Sequence, residues 1–397
     1  MNKNVTLPFA GFIATAIAFG PARIGYGLFL PQFRAVFDLS LSAAGFIASA
    51  AFAGFFIALL LTSFLTISLG PRIPVIIGGL AAAIGMGLVA TAQHVVILAI
   101  GVTLSASSAG FSWVPYNKAA EKGVSKGLWE RALSVISTGT TFGIAGTAFL
   151  ALGIVFIGFN WRVTWIVFAA GGMAAALANL VVLRNLSQNK FSENTIKKEI
   201  RDSFNTNIFK TLIQHKAYPL YAIALSFGIT NAVYLSFAVD HITSLGGITG
   251  FPAATAGPVV YLSFGLAGVL GLFTGEIERQ IGLNKLLRTI FICSFLSLIL
   301  IGIIPTEGSG VILSASLQGI CVMTISSIMS FWSLRIFPSL PSISFTAVLL
   351  LFAAGNVIGP FVASIIAERI GMQHMFYIAA ALSILTALLL PRRLQIE

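Results

Sequence analysis

Long apolar stretches alternate with short polar ones along the whole chain. Each apolar stretch approaches the roughly twenty residues that cross a hydrocarbon core of about 30 Å as a helix. They fall near residues 8–30, 41–66, 74–92, 95–117, 132–157 and 163–183, and beyond a polar interval near 217–239, 253–275, 286–304, 310–334, 342–366 and 373–390. The continuous run from 310 to 366 is divided at Pro338 and Pro341, because proline ends a helix near the residue before it. The pattern predicts an all-α integral membrane protein of twelve transmembrane helices in two pseudo-symmetric bundles of six. A β-barrel, with strands of about ten residues alternating in polarity, is excluded.

The polar intervals divide the chain into an N-terminal bundle at 1–183, a linker at 184–216 and a C-terminal bundle at 217–397. With both termini cytoplasmic, Lys and Arg concentrate on the inner side, and outside the spans the outer side holds only Arg34, Arg162 and Arg369. The expected location is a bacterial cytoplasmic membrane. Lys3 before an apolar stretch, with Ala16-Ile17-Ala18 as a small-residue site, resembles a secretory signal, but the apolar run continues to Leu30 and is read as a retained first helix. Within the linker Ile196, Ile200, Phe204, Ile208 and Leu212 recur every four residues. That spacing fits an amphipathic helix on the cytoplasmic face; a solvated tether is the alternative.

Composition agrees with this class: 57% of the 397 residues are hydrophobic and only 9% charged, with a mean hydropathy of +0.97. The net charge of +11 is mostly a topology signal, and no soluble basic domain exists for nucleic acid. Cys293 and Cys321 lie in apolar runs as small core residues, implying neither disulfide nor metal. No phosphate-cradling Gly-x-x-x-x-Gly-Lys sequence appears, and the four histidines are scattered over loops and span ends. An enzyme, a primary pump and a bound cofactor are not expected.

Arg23 is the one cation deep in an apolar run. A charge near a bilayer centre costs about 2.5–3.5 kcal/mol on insertion scales and persists where it faces a cavity and meets a partner. At 100° per residue it shares a face with Ala16, Phe19, Gly20, Tyr26 and Gly27, away from the bulky aliphatics. An inward arginine would select an anion, since its planar fork fits carboxylate, sulfonate or phosphate oxygens. The rival reading is a snorkelling anchor about 10 Å from the outer end of its span.

Internal repetition places counterparts in the second half. Arg23-x-x-Tyr26 matches Asn231-x-x-Tyr234, Ala44-Gly45 matches Ala256-Gly257, and Gly139-x-x-x-Gly143 matches Gly355-x-x-x-Gly359, in order and at nearly constant offset. One fixed cation opposite an amide suits a monoanion, with Tyr26, Asn231 and Tyr234 supplying hydrogen bonds; a carboxylate is the first choice. Trp113 and Tyr116, flanking Pro115, are candidates to close the inner end of a cavity, and Gln318 and Asn356 are mid-span amides that serve either helix packing or substrate. No acid lies mid-span. Asp240 beside His241, at the outer end of the seventh span, is the candidate proton relay, against the alternative of two solvated loop residues.

These features together resemble the major facilitator superfamily over essentially the whole chain. Its signature loop, Gly-x-x-x-Asp-Arg-x-Gly-Arg-Arg, corresponds here to Ser63 through Arg72, with the second glycine, Gly70, and the last basic residue kept and Ile67 in place of the acid. In the second half Gly275-Glu276-Ile277-Glu278-Arg279-Gln280-Ile281-Gly282 keeps both glycines. Trp161-Arg162 and the run Gly355 to Pro360 also resemble the superfamily. The stretch Arg23 to Pro31, with Gly70-Pro71-Arg72 downstream, is similar to a bacterial branch labelled YbfB/YjiJ-like. The resemblance implies a secondary transporter working by alternating access about a central site, with Arg72 and Arg279 in gating contacts. Organic-phosphate transporters of the superfamily are similar in carrying an arginine on their first helix, but pair it with a second on the seventh, where this chain has Asn231.

The expected function is therefore secondary transport of a small organic anion, by proton symport or anion exchange, by a monomer in the lipid bilayer. Efflux of hydrophobic drugs or metabolites, with Arg23 structural, is the alternative.

Overall fold

Proline and glycine positions set where the helices bend. In the computed structural model of the chain, residues 3–186 and 211–391 are described, so the apolar repeat at 196–208 lies outside the described residues. The first span runs from Asn4 to Phe37 as two helices, α1 (Lys3–Phe19) and α2 (Pro21–Phe37). Pro21 has no N–H to donate to Ile17, so the ladder is interrupted at Gly20 and resumes when Ile24 donates to the Gly20 carbonyl at 3.0 Å.

The second and third spans are α3 (Leu41–Leu69) and α4 (Arg72–Thr91). The fourth is α5 (Val95–Ser107), a tight 3-10 turn at Ser108–Phe111, and α6 (Trp113–Gly123). Pro115 cannot donate to Phe111, which keeps that turn from closing as α-helix. Next come α7 (Trp129–Ile157) and α8 (Trp161–Val182). Asn160 caps α8 by accepting from the Arg162 N–H at 3.0 Å, and the Arg162 guanidinium donates to the carbonyls of Ala90 and Ala92 at 3.0 and 2.8 Å. The Trp161-Arg162 pair thus covers the last carbonyls of α4, which have no partner in their own helix.

In the second half the spans are α9 (Tyr218–Ser244), α10 (Ala256–Gly268) joined through a 3-10 turn at Val269–Phe273 to α11 (Thr274–Ile281), α12 (Leu283–Ile303), α13 (Gly308–Ile336), α14 (Pro341–Ile370) and α15 (Met372–Leu389). Twelve helical spans are long and apolar enough to cross a membrane, and no strand occurs among the described residues. The predicted spans are all present. Most extend several residues further than the apolar runs, and the largest difference is at the first, which reaches Phe37 rather than Leu30.

Two compact units form. One comprises residues 3–26 and 50–186, the other 27–49 and 211–391. In the first unit the core gathers Leu7, Val75, Tyr116, Ala120, Ile136 and Leu183; in the second Phe227, Leu287, Phe291, Ile325, Trp332 and Phe352. The matched glycine pairs have matched roles. Gly139 and Gly143 of α7 lie so close to Phe12, Thr15 and Ala16 of α1 that a Cβ would strike α1 backbone. Gly355 and Gly359 of α14 lie in the same way against Leu225, Gly228 and Ile229 of α9. In each half the fifth span packs on the first through backbone contact, as small-residue helix pairs do in membranes.

Residues 27–49 join the second unit through similar close approaches. Gly27 lies against Leu235 and Tyr261, Gly257 against Leu28, and Gly45 against Pro360 and Ser364, each too near for a side chain.

Candidate functional site

Arg23 stands in the first turn of α2, just past the break at Gly20. Because the first span reaches Phe37, Arg23 lies near its centre, not close to one end as the apolar run to Leu30 implied. Its guanidinium carbon is 4.3 Å from the ring centre of Phe55, 5.4 Å from Phe19 and 5.5 Å from Phe52. Phe55 is itself midway along α3, so the side chain turns towards the middle of the spans. The neighbouring backbone is fixed: Ser105 donates to the Ala22 carbonyl at 3.1 Å, and the Trp165 ring lies against Gly25.

Among the described residues, no carboxylate pairs with Arg23 and no acceptor is hydrogen-bonded to its guanidinium. Each cation–π contact contributes about 0.5–2 kcal/mol depending on desolvation, and two of the three rings are at the longer distances. The rings offset part of the insertion cost. They accept no hydrogen bond in the plane of the guanidinium, so its N–H groups, the groups that bind an oxyanion, have no acceptor among the described residues.

Trp113 joins this cluster through Phe19, edge to ring at 6.3 Å, and its indole N–H is enclosed without a partner. Tyr116 does not join it. Its ring is wholly buried in the core of the first unit and its hydroxyl donates to the Asn179 side chain, which in turn donates to the Ala175 carbonyl at 2.8 Å. The expected aromatic pair is therefore split: Pro115 separates residues that face different neighbours, and Tyr116 is held in packing. Tyr26 is buried at the end of the first unit.

In the second unit Asn231 and Gln318 come together. The Gln318 amide donates to the Asn231 side-chain oxygen at 3.4 Å, with both residues buried, and the Gln318 oxygen has no donor. One turn along α9, Tyr234 accepts from Ser314 at 3.3 Å, and Ser314 also donates to the Ser297 carbonyl at 2.7 Å. Asn356 on α14 is fully buried, and neither of its amide atoms has a partner. An unsatisfied buried amide is costly, about 1–3 kcal/mol per group, so such groups mark places where something else is bound or exchanged.

Asp240 and His241 are not loop residues. Helix α9 continues to Ser244, and both are buried, at 3% and 4% exposure. Arg34 lies in α2 rather than in a loop, and its Nη1 donates to the Asp240 carboxylate at 2.6 Å while its Nε donates to the Leu39 carbonyl at 3.2 Å. The His241 ring lies tilted against Phe376, centre to centre at 5.3 Å, with its Nε2 unpartnered. A second carboxylate, Glu368, accepts from the backbone N–H of Ser42 at 3.0 Å and from its hydroxyl, at the start of α3.

The signature-loop positions behave differently from each other. Gly70 and Gly282 have φ of 79° and 82°, a region that side-chain-bearing residues rarely enter, which explains a glycine at the second glycine position of the motif in both halves. Arg72 is half-buried with its Nε enclosed and unpartnered. Arg279 is exposed and takes no ion pair among the described residues. Glu278 instead pairs with Arg335 of α13, through two hydrogen bonds of 2.9 and 3.0 Å. Sequence reasoning missed Arg335 and Arg34 because each lies far along the chain from its partner acid. It missed Phe52 and Phe55 because two phenylalanines in an apolar run carry no distinguishing signal. Among the described residues no group of His, Cys, Asp and Glu is arranged to hold a metal ion.

Two sets of six membrane-length helices, with glycine-mediated packing repeated in both halves, define a multi-pass helical membrane protein. The chain belongs to the Major Facilitator Superfamily, whose family model matches residues 9–339. An uncharacterized MFS-type transporter of Bacillus subtilis (strain 168), YtbD, is 24% identical over 292 residues, covering 72% of this chain; the match spans 66% of that relative, slightly less than two thirds of its length. Among solved structures, the nucleoside transporter NupG superposes with a TM-score of 0.73 at 13% identity, covering 98% of both chains. A POT family transporter in complex with 5-aminolevulinic acid gives 0.75 at 13%, covering 97% of this chain and 94% of that one. A bacterial homolog of the lysosomal transporter Spinster gives 0.73 at 14%, covering 97% of both. At such identities these structures speak to fold. The protein is a membrane transporter of the major facilitator kind.

Proposed function

We propose that this transporter moves a small organic monoanion, a monocarboxylate, across a bacterial cytoplasmic membrane by alternating access, with both of its termini cytoplasmic. The observation that carries this reading is the Arg23 guanidinium: half-buried mid-span, ringed by Phe19, Phe52 and Phe55, and without a carboxylate partner among the described residues. A permanent cation held there in the unloaded protein is costly, and a bound oxyanion supplies charge-assisted hydrogen bonds that the rings do not. A single such cation matches a single negative charge. Asn231, Gln318 and Tyr234, also proposed as substrate contacts, form a hydrogen-bonded cluster of their own within the second unit.

Coupling is assigned to protons or to exchange of anions. The half-buried Arg34–Asp240 pair, with His241 adjacent, is the proposed proton-responsive contact at the outer end of the spans. Glu278–Arg335 and Arg72 act at the opposite, cytoplasmic ends. The test is thermal stabilisation of the purified protein by a panel of carboxylates, sulfonates and neutral solutes, with Arg23→Gln beside the parent. Carboxylates stabilise the parent and lose their effect in the variant. Equal responses of the two proteins to anions, or transport undisturbed by Arg23→Gln, overturn the reading in favour of hydrophobic efflux with Arg23 in a structural role.

A further inference from the structure

The composition of the Arg23 surroundings says more than that an anion binds. Three ring faces crowd the guanidinium, at 4.3, 5.4 and 5.5 Å, and the edge of Trp113 stands behind Phe19 at 6.3 Å with an interplanar angle of 64°. Phe52 and Phe55 are themselves buried, so their rings are held in place by packing. No hydroxyl or amide among the described residues is hydrogen-bonded to the guanidinium. Hydroxyls on the neighbouring elements are engaged elsewhere: Thr15 with the Gly11 and Ile136 carbonyls, Ser105 with Ala22, and Ser107 with the Leu104 carbonyl at 2.6 Å.

A carboxylate taken by the guanidinium N–H groups brings its α- and β-carbons near these rings, whose centres all lie within 5.5 Å of the guanidinium carbon. Apolar or aromatic carbon gains dispersion contacts and offset ring packing in such surroundings. A hydroxyl carried on those carbons exchanges water for a ring face, and of its two roles only that of acceptor is met in the cluster, by the Trp113 indole N–H beside Phe19, which disfavours it. We infer that the substrate's carboxylate is borne on an aryl or alkyl body, so that the transported class is aromatic and medium-chain aliphatic monocarboxylates rather than hydroxy acids or sugar acids. This rests on the anion reading above and makes it narrower.

The experiment is a set of saturation curves by thermal stabilisation of the purified full-length protein with benzoate, hexanoate, lactate and gluconate. Parent, Arg23→Gln, Phe55→Leu and Phe52→Leu are compared. The parent half-saturates with benzoate and hexanoate at about tenfold lower concentration than with lactate or gluconate, equivalent to about 1.4 kcal/mol. Phe55→Leu, which keeps an apolar side chain and removes the ring, brings benzoate and lactate to within about threefold; Phe52→Leu serves if Phe55→Leu does not fold. Stabilisation by benzoate that survives in Arg23→Gln would place it elsewhere, in the detergent or on another surface, and overturn the inference. So would lactate or gluconate matching benzoate in the parent, or an unchanged gap in a folded ring variant. Arg23-dependent stabilisation by all four acids alike keeps the anion reading and sinks only this one, whereas no response to any carboxylate sinks both.

Discussion

The Arg34 guanidinium and the Asp240 carboxylate meet at 2.6 Å although they are 206 positions apart in the chain, and they are unequally buried: the side chain of Asp240 is 4% exposed and that of Arg34 27%. That asymmetry decides which partner is harder to lose. Arg34→Gln leaves a carboxylate enclosed without its cation, whereas Asp240→Asn leaves an arginine that reaches water and still bonds the Leu39 carbonyl. Breaking a buried pair costs about 3–5 kcal/mol when the remaining charge is stranded. Arg34→Gln is expected near the lower end of that range and Asp240→Asn at less than half of it, measured as loss of thermal stability in detergent. Equal losses would show that the burial of Asp240 does not set the cost.

The glycines of α7 separate packing from composition. A Cβ at Gly143 would strike Ala16 of α1, while at Gly146, one turn further, nothing lies within 4 Å. Gly143→Ala is expected to destabilise by about 1–3 kcal/mol through overpacking. Gly146→Ala is expected to be neutral or slightly stabilising, as for Gly to Ala in any open helix position. Unfolding temperatures of the two variants check the contrast, and the same contrast is expected for Gly355→Ala against a lipid-facing position of α14.

The pair between Glu278 and Arg335 gives a third test. Arg335 is 41% exposed, so the pair contributes at most about 1 kcal/mol to stability. Its importance is expected in transport instead. Glu278→Gln, Arg335→Gln and the double variant are expected to change transport rates to the same extent, and Arg279→Gln to leave them at the parental value. Independent, additive effects of Glu278→Gln and Arg335→Gln in a double-mutant cycle would count against the contact.

For Asn231 and Gln318 the expected result is a split between stability and transport. Gln318→Leu strands the Asn231 amide and costs about 1–3 kcal/mol. Replacing both residues, Gln318→Leu with Asn231→Leu, recovers much of that stability because neither of the two amides remains to be stranded. Transport is expected to stay lost in the double variant. Recovered transport would make the two amides a packing device alone.

Much of the architecture was legible in the sequence, for a physical reason: without water in the hydrocarbon core, a spanning segment must satisfy its own backbone, so length and apolarity alone identify helices. The internal match of Gly139 and Gly143 with Gly355 and Gly359 was equally readable, since only glycine allows the backbone approach now seen on α1 and α9. Ends were not readable. Apolar runs stop where polar residues begin, but helices continue through Arg34, Asp240 and His241 because burial against other helices, rather than lipid, encloses them there. Partners were the other illegible element. Nothing at Arg335 announces Glu278, nothing at Asn179 announces Tyr116, and nothing in the run around Phe52 and Phe55 announces a cation.

The lone charge of Arg23 has an electrical consequence. A guanidinium holds its proton across the physiological range, so with the anion bound the site is neutral, and without it the site carries one net positive charge. Moving one elementary charge across the full membrane potential changes the free energy by about 2.3 kcal/mol per 100 mV. If a monoanion is the cargo, membrane voltage therefore acts on any step in which the carrier resets empty. In anion exchange, where both crossings are loaded, the cycle is then blind to voltage, whereas in proton symport the accompanying proton restores the positive charge and both crossings feel the resting potential.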